Sequence, residues 1–410
     1  MFKIKGSIIL LMTLFMTVSF VYGNTSDGEE VVYRESGVQS ATGSHKGDVL
    51  NLDVKAKAAV LLDGGSGTFL YTQNAHESLP PASVTKIMTM LLTMEAVERG
   101  QIKLSDKVTI SPRAASMGGS QMYMEAGEQQ SVENLLIGMA VCSANDACVA
   151  CGEYVGGTEE IFVEMMNKRA KELGMKNTNF INTNGLPVPD HYTSAYDIGL
   201  MSKELLSFEE TKKWFNIWQT TITVGLPGKK QTELGLTNTN RLIKLYPGAN
   251  GIKTGFTQEA GYCLAGSATK GDLTLIAVVM GCESTGIRWS ETMRLLDYGF
   301  ATYDSVKLAS PGENFGTVDI DKAKPNRVGA ISKDAISILV KKGERDKITT
   351  KTLYVKGIKA PIKMGDRIGE LVVYKGGKEL ERHPLVADAG AEKAGLGEIY
   401  IRMVRSLLLL

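Results

Sequence analysis

The chain has 410 residues, with 46 Lys and Arg against 45 Asp and Glu, for a formal net charge of +1. That length holds two domains and a large core. The near-balance of charge gives no basic field, so nucleic acid is excluded as a partner class.

The first elements concern export. Residues 1–23 read as a signal peptide: Lys3 and Lys5 precede the apolar run Ile8–Tyr22, and Val21-Tyr22-Gly23 offers a small-residue cleavage site. The rival reading is an uncleaved N-terminal anchor, because Tyr22 and Gly23 make only a moderate site. Residues 24–52, rich in Gly, Ser, Asp and Glu, read as a flexible linker.

Ala58–Leu62 and Thr68–Tyr71 read as a strand hairpin around Asp63–Gly67. Pro80-Pro81 stops the segment before it, and Val84–Arg99, rich in Ile, Met and Leu, reads as a buried helix. At its start stands Ser83-Val84-Thr85-Lys86, an S-x-x-K pattern. Ser83 then sits at a helix N-terminus, with Lys86 one turn on and on the same face. The plain alternative is a Ser cap beside a snorkelling Lys. Val132–Val155 is helical, with Ser143-Ala144-Asn145 as a polar kink inside it. Glu159–Leu173 and Ala195–Ser207 are amphipathic helices. Thr220–Val224, Tyr262–Ala268 and Leu273–Met280 read as strands, with Lys253-Thr254-Gly255 ahead of the last two. The plain alternative for Lys253 is a solvated edge-strand lysine. A second S-x-x-K, Ser267-Ala268-Thr269-Lys270, reads as a surface hairpin turn. Ser290–Tyr303 closes the region as a helix. Strands, helices, strands and a final helix make residues 53–303 an α+β domain, one antiparallel sheet covered by helices.

Beyond it, Val306–Leu308, Thr317–Ile320, Ile336–Val340, Lys351–Val355 and Leu371–Tyr374 are short strand-like runs separated by Gly, Pro and charge pairs. Residues 304–388 therefore read as a small all-β domain without a catalytic cluster. Its expected role is a spacer, with substrate or partner binding as the alternative. In residues 389–410, Leu396, Ile399, Tyr400, Met403, Val404, Leu407 and Leu408 fall on one helical face, with Glu398, Arg402 and Arg405 elsewhere. This C-terminal amphipathic helix is shorter than the roughly 20 apolar residues a bilayer span needs. It reads as an interfacial membrane anchor, with packing against the β domain as the alternative.

The five cysteines, Cys142, Cys148, Cys151, Cys263 and Cys282, cannot all pair. The four histidines (His45, His76, His191, His383) are scattered away from them, so the cysteines read as buried thiols and no metal site is expected.

The patterns S-x-x-K, S-x-N and K-T-G follow in that order, 60 and then 110 residues apart. Together they are the signature of active-site serine enzymes that bind penicillin. Ser83–Met280 resembles the catalytic core of the low-molecular-mass penicillin-binding proteins, the D-alanyl-D-alanine carboxypeptidases. Asn238-Thr239-Asn240-Arg241-Leu242, Gly261-Tyr262, Val279-Met280-Gly281, Asn184-Gly185-Leu186 and Thr193-Ser194-Ala195-Tyr196-Asp197 resemble further stretches of that family. Tyr196 departs from it, since many members carry Arg there.

The resemblance implies a β-lactamase/transpeptidase-like catalytic domain and assigns roles. Ser83 is the nucleophile. Lys86 is its general base, which an ordinary lysine with a pKa of about 10.4 cannot be. It must be desolvated or placed near another cation, and Lys253 is the cation the family puts there. Ser143 relays a proton to the leaving amine. Asn145 holds the substrate amide and orients Lys86. The backbone N–H groups of Ser83 and Phe256 form the oxyanion hole. Lys253, Thr254, Gly255 and Arg288 receive the substrate's terminal carboxylate, and a surface charge at a helix start is the alternative for Arg288. No cofactor is implied.

The expected activity is removal of the terminal D-alanine from peptidoglycan stem pentapeptides through an acyl-Ser83 intermediate, with β-lactams as inhibitors. The expected place is the outer face of the cytoplasmic membrane. Three alternatives share the motifs: a penicillin-binding sensor or scaffold with negligible turnover, a transpeptidase, and a β-lactamase. A class A β-lactamase also needs a deacylating Glu between S-x-N and K-T-G, and Ile181–Leu200 contains Asp190 and Asp197 but no Glu.

Overall fold

The computed structural model describes residues 52–410 apart from 227, 230, 398, 399, 402, 403 and 405–410. The expected signal peptide and all but Leu52 of the expected linker lie outside the described residues.

The chain enters through strands β1 (Ala58–Asp63) and β2 (Phe69–Gln73), then helix α1 (Lys86–Glu98). A small ribbon of β3 (Lys107–Thr109) and β4 (Gln129–Ser131) brackets the short helix α2 (Pro112–Ala115). Helices α3 (Val132–Val141), α4 (Asn145–Gly156), α5 (Glu159–Glu172), α6 (Ala195–Leu206) and α7 (Glu209–Phe215) follow. The hairpin β5 (Gln219–Val224) and β6 (Thr232–Thr237) leads through α8 (Leu242–Leu245) to β7 (Ala249–Thr257), β8 (Gly261–Lys270), β9 (Leu273–Cys282) and α9 (Thr285–Thr302).

The spine is a five-stranded antiparallel sheet in the order β2-β1-β9-β8-β7. Both of its faces are buried, so its central strands read as unbroken apolar runs rather than alternating ones. Ala58, Val60 and Leu62 of β1, with Ile276, Val278 and Met280 of β9, pack into the helical layer. Ala59, Leu61, Leu275, Ala277 and Val279 pack against Trp289, Leu295, Leu296 and Phe300 of α9. Helix α1 runs through the middle of the helical layer and is buried from Lys86 through Ala96. An all-round apolar helix is what such a position requires.

Three expectations change. The second S-x-x-K is no surface turn: β8 continues through Lys270, and the reversal falls at Gly271-Asp272. Ser267 is buried and donates to Asn250 Oδ1 at 2.6 Å. The helical stretch expected over Val132–Val155 with a polar kink at Ser143-Ala144-Asn145 is two helices, the break falling one residue earlier, at Cys142–Ala144. Helix α9 starts at Thr285, not Ser290, because Ser284 caps it by accepting from the Ile287 N–H.

After α9 the chain is all β. The strand β10 (Tyr303–Ala309) leads to β11 (Asn314–Asp319), β12 (Ala323–Lys324), β13 (Arg327–Ser332) and β14 (Ile336–Lys341). Then come β15 (Ile348–Tyr354), β16 (Arg367–Lys375), β17 (Lys378–Ala387) and β18 (Glu392–Lys393). A five-stranded sheet, β11-β13-β17-β16-β15, dominates this part. β18 pairs with β12 and Ala391 bridges to Ile362, so the β region runs to Lys393 rather than stopping at 388. Of the expected C-terminal helix 389–410, residues 389–395 are not helical and include β18, because they pair with β12 and Ile362; Leu396, Gly397, Tyr400, Ile401 and Val404 are helical, and the remaining positions lie outside the described residues.

Candidate active site

Ser83 lies in a single turn of 3₁₀ helix, Ala82–Thr85, that feeds α1. The residue before it, Ala82, has φ of +47°, a conformation that costs a non-glycine residue energy and persists only where its surroundings enforce it. A buried relay does so. The Thr85 hydroxyl donates to the Ala82 carbonyl at 2.9 Å, and His191 Nε2 lies 2.9 Å from that hydroxyl. The Ile181 N–H donates to His191 Nδ1, which places the ring proton on Nε2. Burial pushes the His191 pKa down to about 4, so the ring stays neutral.

Lys86, one turn after Ser83, is fully buried. Its Nζ donates to Ser83 Oγ at 2.9 Å and to the Asn184 carbonyl at 2.7 Å. Burial holds the Lys86 pKa below the ordinary lysine value. Lys253 is buried too, and its pKa is lowered to about 7, first by burial and then by the ammonium of Lys86. Lys253 thus lies within the field of the Lys86 ammonium. For Lys86 itself, desolvation is the leading cause of the shift rather than the neighbouring cation.

Ser143 sits in the break between α3 and α4 with φ of +66° and is buried. The expected bond from Asn145 to Lys86 does not form: Asn145 Nδ2 donates to the Gly118 carbonyl at 2.7 Å, and Asn184 orients Lys86 instead. The Asn145 N–H also donates to the Ser120 carbonyl. The buried Asp146 carboxylate accepts from Met122 N and Met124 N. The S-x-N turn thus fixes the strap Gly118–Met124.

Lys253, Thr254 and Gly255 lie on the edge strand β7. Lys253 is no solvated edge residue; its Nζ donates to the Thr254 carbonyl at 3.1 Å. Thr254 Oγ1 donates to Thr239 Oγ1 at 2.9 Å, and the Thr239 N–H donates to the Val141 carbonyl, joining K-T-G to the S-x-N helix. Gly255 packs on the nucleophile turn so closely that a Cβ there would meet the Pro81 carbonyl oxygen at 3.0 Å. Arg288 is buried, lies against the Trp289 ring at 4.3 Å, and has one guanidinium nitrogen 3.5 Å from the Gly255 carbonyl. It is therefore no surface charge. The Phe256 ring is half exposed and stacks on Tyr262 at 4.3 Å.

Ser83, Lys86, Lys253, Thr254, Gly255 and Arg288 are thus linked by packing, hydrogen bonds or charge. Asn145 holds the strap at Gly118 and Ser120, and Ser143 lies buried in the break between α3 and α4 without a hydrogen bond to the others. Sequence reasoning missed the parts played by Asn184, His191 and Asp146. Asn184 did stand in a quoted stretch, and the Asn-Gly pair signals a turn. Nothing local signals that its carbonyl meets a lysine 98 positions earlier. The five thiols are unpaired, and burial pushes Cys142 up to about 11 and Cys148 and Cys282 up to about 12.

A family model described as D-alanyl-D-alanine carboxypeptidase matches residues 43–284. A second, described as the penicillin-binding protein 5 C-terminal domain, matches residues 303–393. The D-alanyl-D-alanine carboxypeptidase DacF of Bacillus subtilis is 45% identical over 342 residues, covering 83% of this chain and 87% of that one. DacC of Escherichia coli is 34% identical over 358 residues, 83% of this chain and 86% of its own. The crystal structure of penicillin binding protein 5 from Haemophilus influenzae superposes with a TM-score of 0.66 at 30% identity, covering 83% of this chain and 98% of that one. With a family match over residues 43–284 and a relative 45% identical over 83% of the chain, the chain belongs to the serine-type D-alanyl-D-alanine carboxypeptidases.

Proposed function

We propose that Ser83 is the nucleophile of this D-alanyl-D-alanine carboxypeptidase and that the reaction runs through an acyl-Ser83 ester. Lys86, whose burial favours the free amine, takes the hydroxyl proton as Ser83 Oγ attacks the carbonyl between the two D-alanines. The N–H groups of Ser83 and Phe256 stabilise the developing oxyanion, each such donor being worth about 3–4 kcal/mol in the transition state. Ser143 passes the proton to the departing D-alanine amine, breaking the C–N bond. Lys86 then takes a proton from water as its oxygen attacks the ester carbonyl; the C–O bond to Ser83 breaks and Lys86 returns the proton to Ser83 Oγ. Lys253, Thr254 and Arg288 hold the terminal carboxylate, which makes the enzyme exo-acting. Asn145 faces the acyl side of the substrate.

The observation that carries this assignment is the 2.9 Å bond from the buried Lys86 Nζ to Ser83 Oγ. A Ser83→Ala protein should lose both penicillin labelling and D-alanine release from a diacyl-Lys-D-Ala-D-Ala peptide. Labelling that survives the substitution refutes the assignment. In the unaltered protein, release blocked by penicillin is the expected result, while rapid loss of penicillin itself would favour a β-lactamase.

The same reading covers the rest of the chain. Residues 1–23 direct export and residues 24–52 act as a tether. The catalytic domain spans 53–303, and the β domain is a spacer. The terminal helix rests on the outer face of the cytoplasmic membrane. Peptidoglycan stem peptides are the substrates and β-lactams the inhibitors. Among the described residues no helix is long and apolar enough to cross a membrane.

A further inference from the structure

The peptide group between Ala82 and Ser83 faces two ways. Its N–H is the Ser83 donor of the oxyanion hole proposed above, and its carbonyl is the one the Thr85 hydroxyl holds at 2.9 Å. A peptide unit is planar, and in its trans form the N–H points opposite to the C=O. Fixing the Ala82 carbonyl therefore fixes the direction of the Ser83 N–H. The φ of +47° at Ala82 is a strained setting, so this peptide turns away once its carbonyl is released.

The imidazole of His191 decides whether the carbonyl is held. A threonine hydroxyl has one proton to donate, and two acceptors stand within reach, the Ala82 carbonyl and His191 Nε2, each at 2.9 Å. Which one it serves depends on the tautomer. The Ile181 N–H donates to His191 Nδ1 at 3.0 Å, so the ring proton stands on Nε2 and is donated to the Thr85 oxygen. The hydroxyl proton is left for the Ala82 carbonyl. Thr85 and His191 are both buried, so bulk water supplies no substitute donor. Gly185 packs against the same pair: a Cβ there would lie 1.8 Å from the Ala82 oxygen and 2.8 Å from Thr85 Oγ1.

Resting on the reading of Ser83 as nucleophile and oxyanion donor, we propose that His191 is a positioning residue for the reaction: through Thr85 and the Ala82 carbonyl it aims the Ser83 N–H at the oxyanion. It touches no reacting atom itself.

His191→Asn and His191→Gln separate this role from support of the fold. The Asn oxygen stands where Nδ1 accepts from Ile181 but offers no donor to Thr85. The Gln amide reaches the Nε2 position and donates to Thr85 but leaves the Ile181 N–H without its acceptor. The assay is D-alanine release from diacyl-Lys-D-Ala-D-Ala by the full chain, beside thermal melting and the affinity of diacyl-Lys-D-boroalanine. In that boronic acid, boron stands for the scissile carbonyl carbon: Ser83 Oγ adds to it, the hydroxyl proton passes to Lys86, and one boronate oxygen takes the oxyanion's place. His191→Asn should lower kcat by about 10- to 100-fold, less than the loss of a whole donor, with KM within about twofold. Boronate affinity should fall by a similar factor, as for any transition-state analogue. His191→Gln should keep kcat within about threefold of the unaltered chain even where it melts lower. Thr85→Val should behave as His191→Asn, and Thr85→Ser, which retains the hydroxyl, as the unaltered chain. Activity that follows melting temperature across these variants, or a fall in kcat without a fall in boronate affinity, overturns the relay alone. No release by the unaltered chain, or release undiminished by Ser83→Ala, overturns the nucleophile reading and the relay with it.

Discussion

At the scale of single residues, the site depends on two buried lysines that must hold opposite charge states. In the proposed mechanism Lys86 works as a free amine and Lys253 as an ammonium. Burial lowers both pKa values; while Lys86 is protonated its ammonium lowers Lys253 further, to about 7, and a Lys86 free amine removes that contribution. Because kcat/KM reports the free enzyme, its pH profile should be bell-shaped. In the proposed mechanism it rises as Lys86 loses its proton, and falls at a pH above about 7, where Lys253, relieved of the Lys86 ammonium, loses the charge proposed to hold the carboxylate. Lys253→Arg should move the alkaline limb upward, since a guanidinium stays charged across the whole range. Lys253→Ala should lower kcat/KM on carboxylate-bearing peptides by about 100-fold, the scale of removing one partner of a buried charge pair. An alkaline limb that stays in place in the Arg variant would show that another group sets it.

At the scale of elements, catalysis depends on how closely β7 approaches the turn that carries Ser83. Glycine at the third position of K-T-G permits that approach. A Cβ on Gly255 would meet the Pro81 carbonyl at 3.0 Å, Val84 Cγ2 at 3.1 Å and the Ala82 Cβ at 3.2 Å, all within the nucleophile turn and its flank. Gly255→Ala should therefore push strand and turn apart by a few tenths of an ångström. The cost in stability should be about 1–3 kcal/mol, as for other overpacked sites. The acylation rate, which depends on the alignment of Ser83 with the N–H of Phe256, should fall further than stability does. Penicillin acylation kinetics beside thermal melting would show it, and unchanged kinetics would count against a shared oxyanion hole. This geometry also explains what was legible in the sequence. Motifs confined to one turn or strand, such as Ser83 with Lys86, reveal themselves because spacing fixes their geometry. The sheet strands were legible as apolar runs because both faces are covered. What stayed hidden depends on distant partners: the Asn184 carbonyl on Lys86, the His191 ring behind Thr85, and the pairing that carries β8 through Ser267–Lys270. The early start of α9 was hidden by a cap of ordinary type, since a Ser-Thr-Gly stretch reads as well for a loop.

At the scale of the whole molecule, the question is what holds the enzyme near its substrate. The β domain ends at β18, and the helical residues beyond it turn apolar side chains to solvent. Leu396 is 89%, Tyr400 69%, Ile401 54% and Val404 36% exposed. Packing against the β domain, the alternative for this segment, would cover these side chains, and it does not. Full burial of each would contribute about 1.5–3 kcal/mol, so immersing the four to half that extent gives about 3–6 kcal/mol. That corresponds to about 10²–10⁴ in partitioning, enough for peripheral and reversible attachment and too little for permanent insertion. A chain ending at Lys393 keeps every β-domain pairing described, so it should fold and cleave soluble peptides at the full rate. It should no longer float with anionic lipid vesicles, whereas the complete chain should. Vesicle binding that survives this truncation would place the membrane contact elsewhere in the chain and leave the terminal helix without its proposed role.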